Sequence, residues 1–332
     1  MIEFGLSLPN RAILYGGTTV DELLALAERA DRDPSWSSLW VGDGLIAKPR
    51  VESTTTLAAI AARTRRMRLG ACCLATFPLR QPVLFAATWA SLDVLSAGRT
   101  QLTVCLGIPT GRGGNGYQNE LQAMGVDPRE RVPRLEENIE ILRTLWASRP
   151  GEPASYDGRF VTFRDIVLEP HPVQDPCPIW IASNPDPTRL DAERYAIAID
   201  RVARMADGWQ TAVADPATFG QQWDRIRTRA AERGRDASSM RSSAHLMVTI
   251  ADTEAAARAE GKEFLDTYYG VDTTPEVMDR WGAYGTAEQI VDRIGQYIDA
   301  GLDQPILRMA ASDQSGSVER VTAEVLPQLS AA

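Results

Sequence analysis

The sequence predicts a single α/β domain over residues 1–332, a (β/α)8 TIM barrel with insertion segments at the C-terminal face of its strands. Three observations carry that expectation: eight short strand-like runs, helical periodicity between them, and two capping boxes that open helices. Strand and helix alternating along a chain is the pattern of a parallel sheet covered by helices. A length of 332 residues suits one barrel with insertions.

Phe4–Leu8 reads as the first strand and ends in Pro9-Asn10. Thr19-Val20-Asp21-Glu22 is a capping box, followed by Leu23, Leu26, Ala27 and Ala30 on one helical face. Ser38–Val41 is the second strand and runs into Gly42-Asp43-Gly44. Helix Thr54–Thr64, strand Leu69–Thr76, helix Pro82–Ser96 and strand Gly98–Gly107 follow. A Gly-rich loop, Gly107–Gly116, then leads to Leu135, Ile139, Leu142 and Trp146 at helical spacing. The rhythm breaks over about 147–178, which is rich in Pro and Gly with a small hairpin around Tyr156–Phe163. A long insertion in a compact fold usually serves a site. Rhythm returns with strands Pro178–Ala182, Gly208–Ala212, Ala244–Ile250 and Pro305–Met309. Helices Glu193–Met205, Phe219–Arg233, Asp252–Tyr268 and Val318–Leu329 alternate with them, as does one opened by the capping box Thr286-Ala287-Glu288-Gln289.

Composition excludes several classes. A net charge of −9 leaves no basic stripe to neutralise phosphates, so nucleic acid is not an expected partner. No apolar run reaches the roughly 18 residues of a membrane helix, and the first residues lack a signal peptide's basic and apolar regions. The expected location is cytoplasmic. The four cysteines form no CxxC, and adjacent Cys72 and Cys73 are poor partners for each other, so free thiols are expected. With two histidines, His171 and His245, and no HExxH, no metal site is expected. Both histidines read as ordinary hydrogen-bonded or surface residues.

Catalytic side chains of such folds sit at the carboxyl ends of strands. Here the third and fourth strands end in small, polarizable or backbone-exposing residues, Cys72-Cys73-Leu74 and Cys105-Leu106-Gly107, and not in a bank of acids and histidines. That suits a broad planar cofactor that supplies the chemistry itself. Gly111-Arg112-Gly113-Gly114-Asn115-Gly116 fits GxGxxG literally, but no long amphipathic helix is expected to follow at once, as a dinucleotide fingerprint requires.

Several runs together resemble the bacterial luciferase-like flavin oxidoreductases. They include Phe4-Gly5-Leu6-Ser7-Leu8-Pro9, Ser38-Leu39-Trp40-Val41-Gly42-Asp43, Leu92-Asp93-Val94-Leu95-Ser96-Ala97-Gly98-Arg99 and Arg204-Met205-Ala206-Asp207-Gly208-Trp209. The resemblance covers nearly the whole chain in order. It implies a barrel that binds reduced FMN, or the deazaflavin coenzyme F-420, at the strands' carboxyl ends. Cys72-Cys73 aligns with the family's non-proline cis peptide behind the flavin ring, with Leu74 and Gly107 beside it. The alternative is two small thiols packing a strand. Cys105 matches a cysteine at the flavin's reactive edge, as a lining residue. Ser183 and Asn184 match the segment that receives the cofactor phosphate, and a turn before Pro185 is the plain alternative.

One departure matters. Gly44 stands where many relatives carry a histidine for proton transfer, so that role is not inherited. Asp43 could take it over if burial raised its pKa; the alternative is a loop cap paired with an arginine. Glu120 and Arg131 read as an internal ion pair, and Trp40, Phe77 and Trp209 as the apolar wall of the mouth. The leading functional expectation is a monooxygenase fed reduced FMN by a separate flavin reductase, acting on a small organic substrate. Alternatives are an F-420-dependent hydride-transfer enzyme and a flavin-binding protein without catalysis. The second and third helices carry surplus apolar residues, including Ala58, Ala61, Phe85, Ala86 and Trp89, which predicts a homodimer.

Overall fold

The computed structural model describes residues 2–107, 114–149, 151–188 and 190–330. Eight parallel strands close into a barrel: β1 (Gly5–Ser7), β2 (Ser38–Val41), β3 (Arg68–Ala71), β4 (Thr100–Val104), β7 (Ile179–Ala182), β8 (Gly208–Thr211), β9 (Arg241–Ile250) and β11 (Gln304–Met309). The ring closes because long β9 pairs with β8 through Arg241–Ala244 and with β11 from Ser243 onward. A short strand absent from the sequence reading, β10 (Gly282–Gly285), pairs in parallel with the far end of β9 and lies outside the ring. Within the insertion, β5 (Ala154–Asp157) and β6 (Thr162–Ile166) form the expected antiparallel hairpin.

Helices α1 (Val20–Arg32), α2 (Ser53–Arg63), α3 (Pro82–Ser96), α4 (Gly114–Ala123), α5 (Arg131–Ala147), α6 (Ala192–Met205), α7 (Pro216–Glu232), α8 (Glu254–Tyr269), α9 (Pro275–Trp281) and α10 (Ala287–Asp299) connect the strands. Both capping boxes form, Thr19 with Glu22 and Thr286 with Gln289, each satisfying two otherwise free N–H groups. The last helical stretch is less regular than its periodicity suggests: α11 (Gln314–Arg320) passes through a wider turn, Val321–Val325, into α12 (Leu326–Ser330). Helix α4 begins inside the GxGxxG run, at Gly114, contrary to expectation; Gly111, Arg112 and Gly113 lie outside the described residues.

The barrel interior is packed solid at its lower end. Trp40 is fully buried there and its indole donates to Ser38 Oγ at 2.9 Å. Gly70 makes room for it, since a Cβ at that position would come within 2.5 Å of the Trp40 ring. Gln101 donates to Gln304 across the axis at 3.0 Å. Phe77 packs edge-on against Phe85, and Trp209 stacks between Phe219 and Trp223. All three predicted mouth aromatics are therefore core residues, because the strand twist and the covering helices enclose them. Ala61, Phe85, Ala86 and Trp89 are likewise buried within the chain, while Leu84 and Leu95 of α3 are each 68% exposed. No described helix is long and apolar enough to cross a membrane.

Candidate functional site

At the carboxyl ends of β3 and β4 the buried strands give way to a half-buried row: Cys72, Cys73, Ala75, Cys105, Leu106 and Gly107. The Cys72–Cys73 peptide is cis, in agreement with the resemblance. Leu74 is wholly buried, and its N–H donates to the Thr103 carbonyl at 2.8 Å, so only its backbone borders the row. Gly107 has φ 73°, and a Cβ there would meet the Ala75 carbonyl oxygen at 2.8 Å. Only glycine lets the two strand ends approach so closely.

Cys73 and Cys105 are joined as a disulfide, with their Cα atoms 6.1 Å apart. The expectation of four free thiols is thereby corrected. Pairing of β3 with β4 brings the two strand ends together across 32 positions of sequence, a proximity that no local spacing announces. Cys72 and Cys177 remain free. The Cys72 thiol lies 3.4 Å from Ser7 Oγ, and burial pushes its pKa up. Burial likewise pushes Cys177 up to about 12.

Asp43 is 7% exposed at the end of β2. One carboxylate oxygen accepts the Thr76 N–H at 2.7 Å and the Thr76 hydroxyl at 2.8 Å. The other accepts Ser53 Oγ at 2.8 Å and Arg80 Nη2 at 3.3 Å. Both oxygens are thus engaged, in the arginine-paired arrangement offered as the alternative to proton transfer. The loop beyond is held from its other side by Glu120, whose Oε2 accepts the N–H groups of Leu45, Ile46 and Ala47 at 3.2, 2.7 and 3.1 Å. The predicted Glu120–Arg131 pair does not form; Arg131 donates to the Leu106 carbonyl at 2.9 Å. At Gly44 there is no room for a histidine without rearrangement, since a Cβ would lie 2.5 Å from the Lys48 carbonyl oxygen.

Ser183 and Asn184 follow β7, the neighbour of β4, and so extend the same row. Asn184 Oδ1 accepts Thr211 Oγ1 and the Ala212 N–H, both at 2.9 Å, which ties it to the end of β8 and not to a local turn before Pro185. The Ser183 hydroxyl and the Asn184 amide nitrogen carry no hydrogen bond among the described residues. A cavity of about 370 Å³ lies beside this row, between the loop after β7 and α7. Its lining carries Asp186 and Asp215 together with Arg225 and Arg280, and Asp186 accepts Arg280 Nη2 at 2.8 Å.

Beside Cys72 the mouth holds Ser7 and Arg308, to which the sequence reading assigned no site role, and His245, expected to be an ordinary hydrogen-bonded or surface residue. Ser7 Oγ accepts Arg308 Nη2 at 2.8 Å and lies 3.3 Å from His245 Nε2. His245 is buried, and burial followed by the charges of Arg308 and Arg50 depresses its pKa to about 3, so its imidazole is neutral at pH 7. The available signal was Arg308 itself, a cation interrupting the apolar run Pro305-Ile306-Leu307-Arg308-Met309.

Comparison with known proteins agrees with this architecture. The sequence profile described as "Luciferase-like monooxygenase" matches residues 2–304. The chain belongs to that family. Its luciferase-like relatives include an "F420-dependent glucose-6-phosphate dehydrogenase" of Amycolatopsis mediterranei, 24% identical over 93% of this chain and 95% of that protein. Another is the oxygenase component of a "Flavin-dependent trigonelline monooxygenase" of Acinetobacter baylyi, 23% identical over 93% of this chain and 90% of its own length. Among solved structures, an "F420-dependent secondary alcohol dehydrogenase" superposes with a TM-score of 0.78 at 17% identity, covering 99% of both chains. This luciferase-like chain is accordingly an enzyme of the oxidoreductase class with a flavin-type cofactor.

Proposed function

We propose that the chain is a monooxygenase that uses reduced FMN, delivered by a separate flavin reductase, and dioxygen on a small organic substrate. The observation that carries this reading is the half-buried row at the ends of β3, β4 and β7, where small side chains and backbone replace acids and histidines. A bound flavin supplies the redox chemistry that these side chains lack. Cys72, Cys73, Ala75, Leu106 and Gly107 would form a wall for its ring. The unpaired donors of Ser183 and Asn184 would meet its phosphate. Cys105, tied to Cys73, lines that wall and offers no thiolate. Asp43 is assigned to positioning: with both oxygens engaged by Thr76, Ser53 and Arg80, it fixes the loops that border the wall.

A second reading, hydride transfer with coenzyme F-420, is supported by the full-length likeness to a relative of that cofactor class. Anaerobic titration of the full chain with reduced FMN, oxidised FMN and F-420 separates the two. The proposal expects reduced FMN to bind tightest; tenfold tighter binding of F-420 would overturn it. We also propose a homodimer through α3, supported by exposed Leu84 and Leu95. Sedimentation of a monomer at micromolar concentration would refute that.

A further inference from the structure

Four cations crowd the mouth around Ser7, next to Cys72 at one end of the cysteine row. Arg308 is 1% exposed, and only its Nη2 has an acceptor, the Ser7 hydroxyl; its Nε and Nη1 are buried without any hydrogen-bond partner. Arg50 donates through Nη1 to the main-chain carbonyls of Asp43 and Lys48, and its Nε is also buried without a partner. Arg11 Nη1 is a third such orphan. Lys48 stands with its ammonium 5.3 Å from the Tyr269 ring centre. Among the described residues none of these four has a carboxylate within ion-pair distance. The nearby acid of the same loop, Asp43, is committed to Thr76, Ser53 and Arg80.

Buried cations are ordinarily paired, because removing a charge from water is costly unless an opposite charge or full hydrogen bonding offsets it. Here the cations repel one another instead: burial, then Arg50 and Arg11, lowers the Lys48 pKa below its ordinary value. Arg308 is the buried one of the four, with Arg11, Lys48 and Arg50 half-buried beside it, and an anion between these donors would complete the arrangement. The surroundings narrow its shape. The Arg308 guanidinium lies 5.1 Å from the Tyr268 ring centre, and Tyr268 meets Tyr269 edge-on with centroids 4.9 Å apart. Tyr268 is buried and stacked on Phe264, so the half-buried Tyr269 ring beside Lys48 is the aromatic surface left to a ligand, which suits a planar apolar body attached to an anionic group.

We propose that this corner is an anion-recognition subsite and that the substrate is a small aromatic molecule bearing a carboxylate. The inference rests on the monooxygenase reading above, which seats the cofactor ring against the cysteine row and leaves the adjoining corner to the substrate. Arg308 would grip the carboxylate through its two orphaned N–H groups, in the forked geometry that guanidinium offers. Arg11 and Lys48 would close over it from the rim.

The test needs no cofactor. Benzoate and its neutral isostere benzamide are titrated into the full-length apoprotein by calorimetry, with Arg308→Gln, Lys48→Met and Arg11→Gln alongside. The expected result is benzoate binding at least tenfold tighter than benzamide. Arg308→Gln should lose at least tenfold for benzoate, and each rim variant severalfold, with benzamide unchanged. Equal affinities, or benzoate binding indifferent to all three substitutions, would overturn the proposal. Should Arg308→Gln fail to fold, as judged by circular dichroism, the two rim variants decide. FMN and riboflavin titrations form the other arm. A loss of FMN but not riboflavin affinity in Arg308→Gln would show that the cations hold the cofactor phosphate, and would overturn the substrate assignment. Failure of every flavin to bind while the benzoate pattern persists would leave the subsite standing and remove the monooxygenase reading.

Discussion

Around Asp43 the barrel rim is held by carboxylates that are saturated with donors, whereas around Arg308 it carries guanidinium N–H groups that lack acceptors. The two regions share the loop from Asp43 to Arg50, yet they treat charge in opposite ways. A saturated buried carboxylate fixes a loop, because each hydrogen bond it accepts ties one of the loop's donors in place. An unsaturated buried cation does the reverse: it costs stability in the free protein and is left available to a ligand. The comparison assigns the acids to architecture and the cations to recognition.

The largest test concerns the staple beside the acid-held rim. Reducing or removing the Cys73–Cys105 link, whose ends lie 32 positions apart, should cost about 3–4 kcal/mol by chain entropy. Urea unfolding of Cys73→Ser measures it, and a thiol count on unreduced, unfolded protein should find two reactive groups, from Cys72 and Cys177. Four would mean that the two strand ends are unlinked in solution.

Next comes Asp43. Asp43→Ala leaves Arg80, Ser53 and Thr76 without their common acceptor and should cost roughly 2–3 kcal/mol, with Asp43→Asn costing less. An Asn variant of normal stability whose turnover fell with a shifted pH profile would return Asp43 to a proton-carrying role.

On the cationic side, His245 is held neutral down to about pH 3, well below its ordinary pKa. The unfolded chain takes up a proton near pH 6.5 that the folded one refuses, so stability is full above that pH and declines as pH falls towards 3. Between pH 6.5 and 5 the wild type should lose about 2 kcal/mol relative to His245→Gln, which cannot titrate. Parallel curves for the two proteins would show that neither burial nor the charges of Arg308 and Arg50 hold His245 neutral. The smallest effect is expected at Glu120→Gln, about 1 kcal/mol, since an amide oxygen can still accept the three N–H groups of Leu45, Ile46 and Ala47 but without charge.

Much of the family pattern visible in the sequence proves to be architectural. Within the run Leu92–Arg99, Asp93 accepts the Thr100 hydroxyl at 2.6 Å and the Val173 N–H at 2.8 Å, while Arg99 donates to carbonyls of Ala61, Thr64, Met67 and Ser96. Asp207, in a second run, accepts the Ile179 N–H at 2.9 Å. These contacts gather at the strands' amino-terminal face, where they tie helix ends to the barrel. Such runs therefore announce the fold with more authority than they announce the reaction.

The strand positions, the two capping boxes and the hairpin were legible in the amino-acid order because each is a short-range pattern, of period two, of period 3.6, or of fixed spacing at a helix start. β10 escaped because Gly282-Ala283-Tyr284-Gly285 is too short, and too rich in glycine, to show any period. Trp40, Phe77 and Trp209 were identified as apolar, but which side of the barrel wall they occupy depends on packing that no local pattern records. The disulfide and the cation cluster belong wholly to the tertiary structure. Ser7 and Arg308 are 301 positions apart in the chain and meet at 2.8 Å only because the first and last barrel strands, β1 and β11, pair to close the ring.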